Sequence, residues 1–270
     1  MRTIDVDTQK ELVKDILRYV HDICNKNGIR YFAAYGTALG AVRHHGFIPW
    51  DDDGDIEVPF PDYEKLREII NHDDSPYRFM SFGDEGYYYS YGKIVDTRTR
   101  CSSNKRSRQI SGLGVSIDVF PLLGLKKETL KKEFTELQIL KRIGSNYGND
   151  SVKKRKNILM YLSDELQLIR CRKSGIEPWG RKLQDLVRNK PFDKGEVIFS
   201  YGGLYKERQL FDPKIYDGYQ LMDFEDFKVR VPKDWDGYLT GMYGDWRKPP
   251  EEKNRVYSHD FNVYWNDEQE

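Results

Sequence analysis

The chain has 270 residues, enough for one large domain or two small ones, and its 38% hydrophobic and 14% aromatic content excludes an intrinsically disordered protein. Its 44 Lys and Arg residues balance 44 Asp and Glu, so the formal net charge is zero. A neutral chain without a familiar nucleic-acid recognition motif disfavours a nucleic-acid partner.

Hydrophobic spacing predicts mixed α and β structure in the first half of the chain. Leu12, Ile16, Val20 and Ile23 recur at helical spacing, and short apolar runs bounded by Gly or Pro predict buried strands. The stretch RTRCSSNKRSRQISGLG predicts a polar loop long enough for a functional role. In chain order, the predicted elements are a helix from a cap at Asp7 or Thr8 to Asn27-Gly28, a strand over 29–36, a helical turn over 37–46, a strand over 53–60, a helix from Pro61, and strands over 87–96 and 114–122.

The second half predicts helices and then a mixed C-terminal part. Residues 126–173 predict one or two basic helices, interrupted near GSNYGND, and PWGRKLQDLVRN predicts another helix. A strand in KVRVP, a short helix from about Trp235 and an extended loop at RKPPEEK follow. The simplest organisation is a single domain over 1–270, with a core of about 1–125 and 195–260 and a helical insertion over about 126–190.

Four aspartates within five residues stand beside apolar strands in the stretch PWDDDGDIEVPF. Side chains alternate along a strand, so Asp53, Asp55 and Glu57 share one face, while Ile56 and Val58 share the other. Carboxylates at i and i+2 repel each other unless a cation lies between them, and Mg²⁺ sites use one or two carboxylates with waters and substrate phosphates. The alternative for so short a motif is a strand that enters from an acidic, solvated loop.

Three further features favour a phosphoryl-transfer site. Gly36-Thr37 predicts a strand-to-helix junction whose N–H groups and hydroxyl can bind a phosphate. Asp118 lies alone in the apolar strand SIDVFPL, where a carboxylate is costly to bury unless it is hydrogen-bonded or bound to a metal. Arg43 and Lys93 fall near predicted strand or turn ends and can neutralise phosphate charge, although each is as readily an ordinary surface cation.

The stretch YGTALGAVRHHGFIPWDDDGDIEVP closely resembles the signature of the LicD family, whose members look like phosphorylcholine transferases with a nucleotidyltransferase-like fold. The family pattern continues in YGKIVD, SIDVFPLLGL and YGDWRKPPEEK. The resemblance reaches from about residue 29 to 253 and is dense only over 31–66. It implies an α+β fold, with a nucleotidyltransferase-like mixed β-sheet core flanked by helices and a helical appendage.

The resemblance also implies an activity. It is the transfer of a phosphorylated alcohol from a CDP-linked donor to a sugar hydroxyl, with release of CMP. In bacterial members the donor is often CDP-choline, which favours phosphocholine as the cargo, and the acceptor is a glycan of teichoic acid, lipooligosaccharide or capsule. Phosphoribitol and phosphoglycerol are alternative cargoes. The expected partners are thus a CDP-alcohol and a glycan, which is lipid-linked at the membrane in one form of this hypothesis.

The resemblance assigns the carboxylates as catalytic and metal-binding residues. Asp53 and Asp55 match the metal-binding pair, and Asp118 matches the acidic residue of the third strand. We expect Mg²⁺, with Mn²⁺ as the alternative, to offset charge on the donor pyrophosphate and the leaving CMP. Asp118 either completes the metal site or accepts the proton of the acceptor hydroxyl, and the sequence leaves both roles open.

The resemblance assigns four further residues to the substrate. Gly36 and Thr37 match the phosphate-binding Gly-Thr pair, and Arg43 and Lys93 match signature positions that would steady phosphate oxygens. One position departs from the pattern, because Gly54 replaces the Ile or Leu that the family usually has between its paired aspartates. A glycine there either leaves a hole beneath the sheet or lets a neighbour approach closely.

Two other functions stay open. Nucleotidyl transfer from an NTP to a small hydroxyl acceptor would use the same carboxylates and would release pyrophosphate instead of CMP. An inactive module that binds a nucleotide or a glycan is slightly favoured by Gly54 and opposed by the intact carboxylates.

Aromatic and basic segments add hypotheses about the cargo and the acceptor. A choline headgroup needs aromatic rings, which YYYSY at 87–91 and FNVYW at 261–265 supply, although strand packing is the more ordinary explanation for both. Residues 126–173 carry 13 Lys/Arg against 6 Asp/Glu. They form either solvated helical faces or a surface for an anionic, lipid-linked acceptor.

The cysteines and the apolar runs indicate a cytoplasmic protein. Cys24, Cys101 and Cys171 lie far apart with no CxxC pair, which disfavours a structural zinc site and fits reduced thiols. The N-terminal segment lacks an apolar signal-peptide core, and no stretch approaches the roughly 20 apolar residues of a membrane-spanning helix. We expect a location in the cytoplasm, peripheral to the inner face of the membrane at most.

Overall fold

The computed structural model describes residues 2–103, 106–255 and 261–266. Within these ranges helices and strands alternate up to residue 80, further strands follow up to residue 125, and three helices in succession then separate two strands of the main sheet. The α-helices are α1 (Val6–Asn27), α2 (Tyr35–His44), α3 (Asp62–His72), α4 (Leu130–Gly148), α5 (Ile158–Ser174), α6 (Glu177–Arg188) and α7 (Trp235–Tyr243). The strands are β1 (Phe32–Ala33), β2 (Asp55–Pro59), β3 (Tyr77–Met80), β4 (Gly92–Asp96), β5 (Thr99–Ser103), β6 (Ser116–Leu125), β7 (Val197–Ser200), β8 (Leu210–Phe211), β9 (Tyr219–Phe224), β10 (Phe227–Pro232) and β11 (Phe261–Trp265).

Seven of these strands form one mixed sheet in the order β1-β2-β6-β4-β3, with β7 and β8 continuing from the C-terminal half of β6. The β2–β6 pair is parallel, and the other pairs are antiparallel. The pairs β9–β10 and β5–β11 make two small separate sheets. The predicted α+β class with a mixed sheet is therefore confirmed.

Helix α1 covers the sheet with the apolar stripe that the sequence predicts, from Leu12 to Cys24. It ends where predicted, at Gly28, whose φ of 62° lies in the left-handed region that a glycine adopts without strain. Its start is two or three residues earlier than the predicted cap at Asp7 or Thr8. Asp5 is the cap, because its carboxylate accepts a hydrogen bond of 2.7 Å from the Thr8 N–H.

Several predicted strands are wrong in length. The predicted strand over 29–36 shrinks to the two residues of β1, because α2 already begins at Tyr35. The aromatic run 87–91 lies outside the strands, and β4 begins at Gly92. The predicted polar loop contains β5, which pairs with β11 at the far end of the chain. The sequence analysis also missed β3.

The helices α4, α5 and α6 lie in the chain between β6 and β7. The predicted interruption near GSNYGND is confirmed, because α4 ends at Gly148. Trp179 of α6 ties two of these helices by donating a 2.8 Å hydrogen bond to the Leu140 carbonyl. A Cβ at Gly148 would lie 2.3 Å from the Tyr88 ring, so this glycine lets α4 approach the segment before β4.

No helix among the described residues is long and apolar enough to cross a bilayer.

Candidate active site

Three charged side chains lie side by side on the central strands of the sheet. The parallel register of β2 and β6 places Asp55 opposite Asp118, and the antiparallel register of β6 and β4 places Asp118 opposite Lys93. Neighbouring strands lie about 4.8 Å apart, and residues in register point to the same face. Strand pairing therefore brings together, on one face of the sheet, residues that are about 25 to 60 positions apart in the sequence.

Lys93 and Asp118 form an ion pair within this row. The lysine is 9% exposed, and its ammonium lies 5.4 Å from the Tyr89 ring centre and 5.6 Å from that of Tyr91. Burial alone would lower the pKa of Lys93, but the charge and hydrogen bond of Asp118 outweigh it and raise that pKa. Lys93 is thus a permanent cation at the site.

The carboxylate of Asp55 lies among other negatively charged side chains. Burial raises the pKa of Asp55 well above its usual value, and the nearby charges of Asp53, Asp118 and Asp51 raise it further, against a smaller opposing effect of Lys93. Asp51, Asp53, Asp55 and Asp118 all line one cavity. A cation bound between these groups would relieve their repulsion.

The first turn of α2 is hydrogen-bonded to the start of β2. Thr37 is buried, and its Oγ1 accepts a 2.8 Å hydrogen bond from the backbone N–H of Asp55. A Cβ at Gly36 would lie 2.3 Å from Oδ2 of Asp51, so the glycine lets this carboxylate lie against the positive end of the helix. Gly36 lines the cavity, whereas the Thr37 hydroxyl positions Asp55. Phosphate binding by this pair stays a prediction.

The carboxylates open into a cavity of about 830 Å³, a volume typical of small-molecule sites. Among the described residues, nine aromatic side chains line its wall. Its rings are those of Tyr35, Trp50, Tyr89, Tyr91, Phe120, Tyr205, Tyr243, Trp246 and Phe261. The predicted aromatic segments contribute Tyr89, Tyr91 and Phe261. The sequence analysis missed the other rings, which reach the cavity from elements far apart in the chain.

Two arginines also line the cavity. Arg43 donates a 2.7 Å hydrogen bond from Nη1 to the Trp246 carbonyl, and it has no carboxylate partner in the described part of the chain. The sequence analysis missed Arg106. Its Nη1 donates a 2.9 Å hydrogen bond to the side-chain oxygen of Asn149, just after the end of α4. Arg43 therefore brings a positive charge that is not tied up in a described ion pair to a cavity lined by five aspartates of the described ranges.

A buried hydrogen-bonded network joins Glu57 of β2 to three tyrosines, one of which, Tyr35, lines the cavity. Glu57, two residues after Asp55 on the same face of β2, accepts hydrogen bonds from the hydroxyls of Tyr216 at 2.8 Å and Tyr238 at 3.1 Å. Burial nevertheless raises the pKa of Glu57 to about 7. Tyr238 also accepts the Tyr35 N–H at 3.2 Å. The sequence placed Glu57 on this face, but nothing in it pointed to its tyrosine partners.

Tyr35 begins α2 in a strained conformation. Its φ of 40° lies in the left-handed region, which is unfavourable for a residue with a Cβ. Its hydroxyl is held between Ser200 at 2.7 Å and the donating Gln209 side-chain amide at 2.5 Å. These contacts from β7 and the segment before β8 fix a cavity-lining ring at the junction of β1 and α2.

The close packing at Gly54 decides between the two expectations for this residue. A Cβ there would lie 2.7 Å from Cγ2 of Ile117 and 3.0 Å from Cγ1 of Val13. The position beneath the sheet is therefore occupied by neighbours. The prediction that a neighbour approaches Gly54 closely is confirmed, and the alternative prediction of a hole beneath the sheet is wrong.

Carboxylate oxygens are suitable ligands for a hard cation, and metal binding at this site stays a prediction. Within the described ranges, no three His, Cys, Asp or Glu side chains are arranged to hold a metal together. Asp53 and Asp55 remain as a carboxylate pair, while Asp118 contacts Lys93. One or two carboxylates completed by waters and phosphate oxygens are the usual ligands of Mg²⁺. The residues present fit that type of site.

Comparisons with known proteins agree with this arrangement. The LicD/FKTN/FKRP nucleotidyltransferase domain matches residues 28–138, which contain all seven predicted site residues. The chain is 27% identical to the lipopolysaccharide cholinephosphotransferase LicD of Haemophilus influenzae, over 95% of this chain and 97% of that protein.

Two shorter matches concern parts of the chain. An uncharacterised Rickettsia prowazekii protein is 45% identical over 32% of this chain and 27% of its own length. The human ribitol 5-phosphate transferase FKRP is 33% identical over 21% of this chain and 12% of its own length. The domain match over residues 28–138, the end-to-end similarity and the signature residues around one cavity agree, and they identify a LicD-type domain in this chain.

Proposed function

We propose that this protein transfers a phosphorylated alcohol, phosphocholine in the favoured case, from a CDP-linked donor to a sugar hydroxyl of a bacterial surface glycan, with release of CMP. The observation that carries the proposal is a single aromatic cavity that collects Asp53, Asp55, Asp118 and Arg43. The relative that matches end to end is a cholinephosphotransferase that acts on lipopolysaccharide. We place the reaction in the cytoplasm, within one catalytic domain of nucleotidyltransferase-like fold.

The donor pyrophosphate would lie between the carboxylate pair and Arg43. Asp53 and Asp55 would hold Mg²⁺, or Mn²⁺ as the alternative, and the bound ion would neutralise charge on the pyrophosphate and on the departing CMP. Arg43 supplies a guanidinium that can bind phosphate oxygens on two sides. The first turn of α2 adds N–H groups at Gly36 and holds Asp55 in place through Thr37.

Asp118 is the group we propose for the acceptor hydroxyl. It lines the same cavity as the carboxylate pair, and its ion pair with Lys93 keeps one of its oxygens oriented. The Asp118 carboxylate can accept the proton of the acceptor hydroxyl while the hydroxyl oxygen attacks phosphorus, which is the role of a general base. The products are then CMP and the sugar that carries the phosphorylated alcohol in a phosphodiester bond, and the proton is on Asp118.

The cavity wall favours a cationic alcohol on the donor. The rings of Tyr35 and Tyr205 stack with their centroids 5.9 Å apart, and the ring of Tyr243 packs edge-on against Tyr205 with a centroid distance of 5.7 Å. Aromatic faces attract quaternary ammonium groups. The rings of Tyr89 and Tyr91 already face the Lys93 ammonium, so we assign the headgroup to the Tyr35–Tyr205–Tyr243 cluster. Phosphoribitol is the second candidate cargo, on the ground of the similarity to FKRP.

The test is CMP release by the purified chain with Mg²⁺ and a glycan acceptor, against CDP-choline, CDP-ribitol, CDP-glycerol and CDP-ethanolamine. We expect CDP-choline to be the best donor, with activity lost in EDTA. Tyr205→Leu should raise KM for CDP-choline more than KM for CDP-glycerol, because only the former carries a cation. Release of pyrophosphate from an NTP, with no CMP from any donor, would instead establish nucleotidyl transfer.

A further inference from the structure

The helix α5 carries an apolar stripe that faces solvent. Ile158, Leu162, Leu166 and Ile169 recur at i, i+4, i+8 and i+11, and they are 61%, 50%, 57% and 41% exposed. With about 3.6 residues per turn, these positions share one side of the helix. Leu159, which is 74% exposed, extends the same side.

Helix α5 packs on the rest of the protein through its opposite side, so the exposed stripe is not needed to hold the helix in place. Leu168 is 2% exposed, and the carboxylate of Asp164 is buried between Arg142 at 2.9 Å and Arg155 at 3.0 Å. The stripe continues into an apolar groove of about 930 Å³, where Leu162 and Leu166 meet Ile139 of α4. Contiguous exposed apolar surface of this kind marks an interaction site.

Positive charge borders the stripe. The run Lys153-Lys154-Arg155-Lys156 directly precedes α5, and its three lysines are exposed. The ion pair of Arg155 with Asp164 holds this run at the first turns of the helix. At the C-terminal end of α5, Arg170 and Lys173 are also exposed.

We propose that the apolar stripe of α5 and the basic run 153–156 dock on an anionic lipid bilayer. An amphipathic helix of this type lies in the plane of the interface, with its apolar side chains among the lipids and its cations at anionic headgroups. A second copy of this chain is the less favoured occupant, because a symmetric contact would bring two sets of like charges together. The inference stands apart from the proposed reaction, since it involves no residue of the cavity.

The test is co-sedimentation of the full chain with vesicles, of pure phosphatidylcholine or of phosphatidylcholine with 30% phosphatidylglycerol (roughly the anionic content needed for a clear surface potential). We expect binding to the anionic vesicles only. Leu162→Glu/Leu166→Glu should weaken it by about tenfold or more, because two exposed leucines no longer enter the lipid. Lys153→Glu/Lys154→Glu should weaken it to a similar degree and remove much of its salt dependence.

Leu221→Glu is the matched control, because Leu221 on β9 is 49% exposed, as Leu162 is at 50%. This variant should bind the vesicles like the parent chain. All variants should keep CMP release with a soluble acceptor, which separates docking from catalysis. Equal binding to neutral vesicles, or unchanged binding by the α5 variants, would overturn the proposal. So would a dimer that the α5 variants convert to a monomer without any vesicle binding.

Discussion

The sheet centre and the helix α5 depart from ordinary protein architecture in opposite directions. At the sheet centre, polar groups are buried, with Asp55, Glu57 and Lys93 each at most 9% exposed. On α5, apolar groups are exposed although the helix has a properly packed inner face. Both departures cost free energy in the isolated chain, the first through desolvated charge and the second through hydrated hydrocarbon.

The two regions differ in what balances that cost. The buried groups at the sheet centre mostly have internal partners, such as Lys93 with Asp118 and Glu57 with two tyrosines. The stripe of α5 has none within the described chain, apart from the groove that it lines. Substitutions that break these internal pairs should therefore disturb the fold at the sheet centre, whereas substitutions in the α5 stripe should leave the fold intact.

Asp55→Asn should show the largest effect, on turnover. We expect CMP release to fall by about three orders of magnitude or more, because the amide neither binds Mg²⁺ well nor carries the compensating charge. The unfolding free energy at neutral pH should stay equal or rise, because burial and neighbouring carboxylates already oppose the charge of Asp55. Turnover near that of the parent chain would refute the assigned role of the carboxylate pair.

Local sequence patterns were enough to predict that Asp55 and Asp118 come together, but they did not predict the surroundings of these residues. Alternation along β2 and the lone Asp118 in an apolar run are local patterns, and the strand register then brings these residues together. Arg106 and Tyr205 lie in loops, and they reach the cavity through long-range packing that no local pattern encodes. For the same reason β5 was missed, since its partner β11 comes some 160 residues later.

Lys93→Met tests whether the ion pair is the internal balance at the sheet centre. The variant removes the Lys93 ammonium from Asp118, and we expect a loss of about 3 kcal/mol in unfolding free energy, the low end for a buried pair because the aspartate is 21% exposed. Lys93→Met/Asp118→Asn should recover most of that loss in a chemical-denaturation double-mutant cycle. Additive losses in the double variant would show that the two residues are not coupled.

Glu57→Gln tests the tyrosine network through pH. The pKa of Glu57 is about 7 in the folded protein against 4.5 for a free glutamate, so the folded chain keeps a proton that the unfolded chain releases. The unfolding free energy should therefore fall between pH 4.5 and 7, by about 3 kcal/mol from this group, and level off above. The difference between the parent chain and Glu57→Gln, from denaturant titrations across that range, isolates this contribution. A pH-independent difference would place the ionisation elsewhere.

The smallest effect is expected on α5, where the contrast between the regions is sharpest. Leu162→Ala and Leu166→Ala should each change the unfolding free energy by less than about 0.5 kcal/mol, because their side chains are already largely hydrated. Leu168→Ala, on the inner face of the same helix, should cost about 2–5 kcal/mol by leaving a cavity. Helix propensity is the same in all three replacements, so the difference reports burial alone. If the outer leucines proved as costly as Leu168, the stripe would be part of the folded core, and α5 would lose its distinction from the sheet centre.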